Sequence, residues 1–132
     1  MKNILITGAS QGIGKATAIE AAKAQMFVGI NYNQNSKAAE QCLKLVRDSG
    51  GDGIILQCDV ANNKSVKGMF NDFLDKAGTI DGVFNNAGIT GPISQIQDLN
   101  PDDLKMVVDT NISGAFYVAQ ESATVSYTHL RA

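Results

Sequence analysis

Thr7-Gly8-Ala9-Ser10-Gln11-Gly12-Ile13-Gly14 stands between the apolar run Ile4-Leu5-Ile6 and a segment of helical period, and its reading decides the fold. Glycines at positions 8, 12 and 14 let a chain leaving a strand turn tightly and come close to a pyrophosphate, and Gly14 lets the next helix lie close to the sheet. The first amides of that helix then point at the anion. Three residues separate the first two glycines, so the spacing is not the common G-x-G-x-x-G fingerprint. The competing reading is a strand-to-helix turn that needs glycine only for its geometry. Three glycines at one switch from strand to helix weigh against it.

Outward from this turn, short apolar runs alternate with segments of helical period. Lys2 to Thr7 reads as a strand, and Ile13, Ala16, Thr17, Glu20, Ala21 and Ala24 as the small-residue face of a helix. Phe27 to Tyr32 is a second strand, followed from Ser36 by a helix with Ala39, Leu43 and Val46 on one side and Gly50 as its stop. Ile54 to Cys58 is a third strand. A helix from about Lys64 buries Val66, Met69, Phe70, Phe73, Leu74 and Ala77 and ends at Gly78. Ile80 to Asn85 is a fourth strand. Asn100-Pro101-Asp102-Asp103 marks a helix start, with a capping Asn, a Pro in the first turn and carboxylates at the positive end of the dipole. That helix is predicted to run to about Ala123. Four strand-helix repeats predict an α/β fold, a Rossmann-type doubly wound parallel sheet of order 3-2-1-4, truncated after the fourth repeat. The long connection Asn85 to Leu99 lies at the carboxyl end of strand four, where ligands bind in such sheets.

Composition narrows the function. The chain has 132 residues, 44% hydrophobic, with 11 Lys+Arg against 13 Asp+Glu and a net charge of −2. That length suits one domain. With a pI near 5.2 and no basic cluster, there is little electrostatic basis for binding nucleic acid or an anionic membrane. No apolar run is long enough to span a bilayer and no signal-peptide pattern opens the chain, so a cytoplasmic protein is expected. Cys42 and Cys58 match no metal or redox spacing and read as buried, reduced thiols. A single histidine, His129, leaves a His-based triad or metal site little to work with. No metal is expected.

Four motifs stand in order on the expected elements: Thr7-Gly-x-x-x-Gly-x-Gly14, Asp59-Val60 after strand three, Asn85-Asn86-Ala87-Gly88 after strand four, and Asn111 inside the next helix. Together, over residues 1 to about 124, they resemble the classical short-chain dehydrogenase/reductase family, with a leaning to 3-oxoacyl-thioester reductases and members like glucose 1-dehydrogenase. The resemblance implies the amino-terminal, cofactor-binding part of an NAD(P)-dependent oxidoreductase. Hydride would pass between nicotinamide and a small carbonyl or alcohol substrate. By the same resemblance Gly8, Ser10, Gln11, Gly12, Ile13 and Gly14 serve the phosphates and ribose, and Asp59 and Val60 flank the adenine. Asn86, Ala87 and Gly88 line the floor under the cofactor, and Asn111 holds a water in a proton relay. For Asp59 the alternative is a helix cap, for Asn85 a tie between strands, and for Asn111 an exposed helical amide. The complete parent is expected to be a homo-oligomer, a tetramer pairing the helix from Pro101.

Cofactor choice turns on the end of strand two. Asn31-Tyr32-Asn33-Gln34-Asn35 holds no carboxylate to accept from a ribose 2′-hydroxyl, so NADP is preferred over NAD, with amides of Asn31 and Asn33, and Lys37, as donors. The Ser, Tyr and Lys of the family's chemistry would lie beyond a fifth strand. Ser126, Tyr127 and Arg131 only imitate them, because an always-charged Arg is no tunable relay. The fragment alone is therefore expected to be inactive. Val125-Ser126-Tyr127-Thr128-His129-Leu130-Arg131-Ala132 reads as a translated transposon-end adapter, so the expected division is a native 1–124 and a non-native 125–132. The alternative to an enzyme is a non-catalytic dinucleotide-binding module.

Overall fold

The computed structural model describes residues 1–129, with side-chain surroundings as far as Ser126. Strands β1 (Asn3–Ile6), β2 (Phe27–Tyr32), β3 (Asp52–Gln57) and β4 (Gly82–Phe84) form one sheet in the order β3-β2-β1-β4. All pairings are parallel, from Asn3 opposite Phe27 on one side of β1 to Ile6 opposite Phe84 on the other. Helices α1 (Gly12–Lys23), α2 (Ser36–Asp48) and α3 (Asn63–Ala77) connect them. After β4 come a 3-10 turn at Ile96–Asp98 and then α4 (Pro101–Val108), a π-helical stretch (Asp109–Gly114) and α5 (Ala115–His129) in unbroken succession.

The sheet is covered on both faces, as the doubly wound reading requires. One face carries Ile6, Val28 and Ile30 against Ala18, Ala21 and Ala22 of α1 and Ala39, Cys42 and Val46 of α2. The other carries Leu5 and Leu56 against Val66, Met69, Phe70 and Phe73 of α3 and Val118 and Val125 of α5. The first layer is built from small side chains and the second from large ones. Phe73 reaches across β2 because Gly29 stands there: a Cβ at that position would lie 2.8 Å from the Phe73 ring and from Leu5 Cδ1. The same ring stacks on Phe27 with centroids 5.9 Å apart.

The buried face of α1 and several element boundaries differ from the sequence reading. The buried face of α1 is Gly14, Ala18, Ala21 and Ala22, while Ile13, Ala16, Glu20 and Ala24 point outward. Positions i, i+4, i+7 and i+8 form the narrower and flatter stripe, which suits close approach to the sheet. β3 begins two residues earlier than Ile54, because as an edge strand it tolerates Asp52, whose carboxylate meets Arg47 and the Gly53 N–H. β4 is only Gly82–Phe84. Asp81 instead closes a reciprocal pair with Asn3, accepting its N–H on the carboxylate and donating its own to the Asn3 carbonyl, each at 2.8 Å. The last helix passes Ala123 and reaches His129, with Val125 buried in the core. The Tyr127 and Arg131 side chains lie outside the described residues.

Truncating Phe73 removes the ring that fills the second layer, and Phe73→Ala is expected to lower unfolding free energy by about 3–5 kcal/mol. Gly29→Ala, which crowds the same ring, is expected to cost about 1–3 kcal/mol. Urea unfolding followed by far-UV circular dichroism checks both, and unchanged midpoints would remove this account of the core.

Candidate functional site

The carboxyl ends of the four strands open onto a cleft of about 780 Å³. Its walls are the glycine turn (Gly8, Ser10, Gln11, Gly12, Ile13), the end of β2 (Asn31 to Asn35), the end of β3 (Cys58, Asp59, Val60) and the segment after β4 (Asn86 to Ile89), closed by Met106 and Thr110. Among the described residues the wall contains one carboxylate, Asp59, and no Lys or Arg. A smaller hollow of about 330 Å³ lies beside β4 and α5 and contains none of the expected binding residues.

The turn has the predicted backbone. Gly8 and Gly12 sit at φ +63° and +59°, the left-handed region that costs an L side chain energy. Helix α1 starts at the cleft without a cap: Gln11 makes no side-chain hydrogen bond to it, and no acid stands in its first turn. By contrast α2, α3 and α4 are each closed by an Asn side chain, of Asn35, Asn62 and Asn100. Of α1 to α4, α1 alone starts uncapped, and its start borders the cleft with its first N–H groups open to an anion. Gly14 does not face the cleft. A Cβ there would lie 2.4 Å from the Gly8 carbonyl oxygen and 2.7 Å from Asn86 Nδ2, so Gly14 is the packing glycine that lets α1 begin beneath the turn.

The turn is locked to the end of β4 by a buried hydroxyl. Thr7 Oγ1 accepts from the Asn86 and Ala87 backbone N–H groups, each at 2.9 Å, and donates to the Phe84 carbonyl at 3.5 Å. In return Asn86 Nδ2 donates to the carbonyls of Thr7 and Gly8 at 3.1 and 3.2 Å. Asn86 thus borders the cleft while its amide holds the turn. Asn85 ties neither neighbouring strand, donating instead to the Ala115 carbonyl at 2.8 Å.

Asn111 stands in the π-helical stretch and is not part of the cleft wall, although the preceding Thr110 is. Its amide clamps one backbone unit, accepting from the Ile89 N–H at 2.8 Å and donating to the Ile89 carbonyl at 2.7 Å. Asn111 is exposed, as that alternative had it, but its amide is engaged and pins the Asn86 to Ile89 segment against the helix. Gly114 closes the same stretch against Val60, whose Cγ2 would lie 2.8 Å from a Cβ there.

At the end of β2 one expectation is corrected. Asn31 is 2% exposed, and its amide is bonded to backbone: Oδ1 accepts from Gly8 N–H at 3.0 Å, and Nδ2 donates to the carbonyls of Leu56 and Cys58, each at 3.1 Å. It borders the cleft but has no donor to offer a 2′-phosphate. Asn33 does line the wall. Asp59 does not cap α3, which Asn62 does; its carboxylate accepts from Ala61 N–H at 3.0 Å in the preceding turn. Cys58, which the sequence reading left out of the site, borders the cleft, and burial first, then the Asp59 charge, pushes its thiol up to about 11. Tyr32, Gln34, Asn35, Ile89, Met106 and Thr110 also line the wall. The first three adjoin Asn33 and could have been found as the end of a strand at the switch point. Met106 and Thr110 depend on how α4 is set against the sheet, which no local pattern carries.

Known proteins share this arrangement. The model of the short chain dehydrogenase family matches residues 2–126. A 3beta-hydroxysteroid dehydrogenase of Mediterraneibacter gnavus is 36% identical over 120 residues, covering 91% of this chain and 43% of that protein. A 3-oxoacyl-[acyl-carrier-protein] reductase of Synechocystis sp. is 41% identical over 112 residues, covering 85% and 45%. The crystal structure of an NAD+-bound xylitol dehydrogenase superposes with a TM-score of 0.90 at 33% identity, over 96% of this chain and 48% of that one. The chain belongs to the short-chain dehydrogenase family. It spans about half the length of the curated relatives it matches.

Thr7→Val keeps the shape but leaves the Asn86 and Ala87 N–H groups unpaired, and is expected to cost on the order of 2–4 kcal/mol, most of it restored in Thr7→Ser. Urea unfolding of the three proteins decides. Cys58 offers a second check: with its pKa at about 11 against an ordinary 9.0, the thiolate fraction at pH 8 falls about a hundredfold, and alkylation by iodoacetamide slows at least as much relative to the unfolded chain.

Proposed function

We propose that the chain is the amino-terminal, cofactor-binding part of an NAD(P)-dependent oxidoreductase that moves hydride between nicotinamide and a small carbonyl or alcohol substrate. The observation that carries this is the uncapped start of α1 behind two left-handed glycines, opening into a cleft at the carboxyl ends of the strands. Bound there, the cofactor supplies or takes up the hydride. The chain's part is to hold it. Amides of Gly12 and Ile13 would meet its phosphates with Ser10 and Gln11 beside them, and the Asp59 carboxylate would accept from the adenine amine beside Val60. Ala87 and Gly88, kept small and pinned through Ile89 by Asn111, form the floor.

NADP is the preferred cofactor in this reading. No carboxylate stands from Tyr32 to Asn35 to repel a 2′-phosphate, and with the Asn31 amide occupied, Asn33 and the nearby Lys37 are the donors. A cytoplasmic setting fits two cysteines that are both free and buried. Self-association of the parent fits the apolar residues Leu104, Val108, Ile112 and Phe116, spaced four apart and all exposed. The division at residue 124 rests on the adapter-like tail, and the encoding DNA tests it.

Asn111 enters this reading as a positioning residue of a proton relay whose Tyr and Lys the sequence does not contain. Tyr32, Tyr117 and Tyr127 are followed four residues later by Ser36, Glu121 and Arg131. The clamp on Ile89 also favours a second reading, a non-catalytic dinucleotide-binding module, because it gives Asn111 a duty that needs no chemistry. A Tyr-x-x-x-Lys beyond a fifth strand in the gene supports the enzyme, and its absence the module.

Titrating the chain with NADPH and NADH, read by nicotinamide fluorescence, is expected to show saturable binding with NADPH the tighter. NADH binding tenfold tighter would overturn the NADP preference, and no saturable binding of either would overturn the cofactor reading. No turnover of any carbonyl substrate is expected from this chain. NADPH oxidation above a protein-free control would refute that.

A further inference from the structure

Asn31 follows the apolar stretch Phe27 to Ile30 and is buried, only 2% exposed, at the edge of the cleft. Its contacts run in two directions. Toward β1, Oδ1 accepts from the Gly8 N–H at 3.0 Å and the Asn31 backbone carbonyl accepts from Ala9 N–H at 2.9 Å. Toward β3, Nδ2 donates to the carbonyls of Leu56 and Cys58, each at 3.1 Å. Gly8 begins the phosphate turn, and Cys58 is the last residue before Asp59 and Val60 at the far rim of the cleft. We propose that Asn31 is a positioning residue that fixes the separation between the phosphate turn and the adenine rim.

An amide is the side chain suited to this place. It both accepts and donates at one length, where a carboxylate only accepts and an aliphatic side chain does neither. Beyond Cys58, whose N–H donates to the Tyr32 carbonyl at 2.9 Å, the chain leaves the sheet for the turn before α3. The Asn31 amide is therefore a side-chain rung that extends the β2 to β3 ladder to where Asp59 begins. A ligand that reaches from turn to rim is sensitive to their spacing, and one that occupies a single end is not. The inference rests on the cofactor reading of the cleft.

The test uses the 132-residue chain, unsubstituted and as Asn31→Asp and Asn31→Ala. ADP spans both ends, adenosine occupies the rim and inorganic pyrophosphate the turn, and NMR titration reads all three affinities. In both variants ADP is expected to weaken about tenfold while adenosine and pyrophosphate change less than about twofold. Asn31→Asp is the sharper case, because it keeps the acceptor for Gly8 and replaces the donors to the Leu56, Cys58 and Tyr32 carbonyls with an oxygen that repels them. An equal fall for all three ligands, as general loosening would give, or unchanged ADP affinity would overturn the proposal. No binding of any of them by the unsubstituted chain would overturn the cofactor reading instead, and this inference with it. Should neither variant fold, hydrogen exchange of side-chain amides in the unsubstituted chain decides. The Asn31 protons are expected to exchange at least about a hundredfold more slowly than those of exposed Asn33, and equal rates would overturn the clip.

Discussion

The site depends on one hydroxyl. Thr7 Oγ1 has two lone pairs and one proton, and all three are engaged where β1 and β4 end, with the N–H groups of Asn86 and Ala87 and the carbonyl of Phe84. Two chain segments almost eighty residues apart in sequence are thereby set at hydrogen-bond distance with no space for water. The consequences spread outward. With Ala87 brought against Gly8, only glycine fits at position 8, and with the Asn86 amide drawn to the Gly8 carbonyl, only glycine fits at position 14. The glycine pattern is thus as much a record of how closely β4 approaches the turn as of any ligand.

A similar economy governs the asparagines. Amides at positions 35, 62 and 100 close helices, those at 3, 31, 85, 86 and 111 hold backbone far away in sequence, and none of these eight is left dangling. A protein this rich in small residues leaves many backbone groups at strand ends and helix breaks without regular partners. Asparagine supplies a donor and an acceptor at fixed spacing, which matches a peptide unit, as the paired bonds between Asn111 and Ile89 illustrate.

This explains what could and could not be seen before the structure. Strand and helix alternation, the sheet order and the glycine turn were legible because period and glycine spacing are local signals. The large-residue face of α3 was legible for the same reason. The duties of Asn31 and Asn111 were not, because an amide aimed at a ligand and one aimed at a distant carbonyl look alike in sequence, and only topology tells them apart. The buried stripe on α1 is not legible in sequence, because alanine barely distinguishes its faces. Val125 opens the stretch that reads as a translated adapter, and α5 buries it in the core.

Among the described residues the wall of the cleft carries no cationic side chain and one carboxylate. A bound diphosphate would therefore be held by oriented peptide dipoles and not by opposing net charges. Dipoles fall off more steeply than charges and act within the first turn of the helix, where salt screens them as well. A chain with a formal charge of −2 would in this way hold an anion through local contacts and not through its net charge. It would gain no long-range steering in exchange, and the rate of capture would be that of an unassisted encounter.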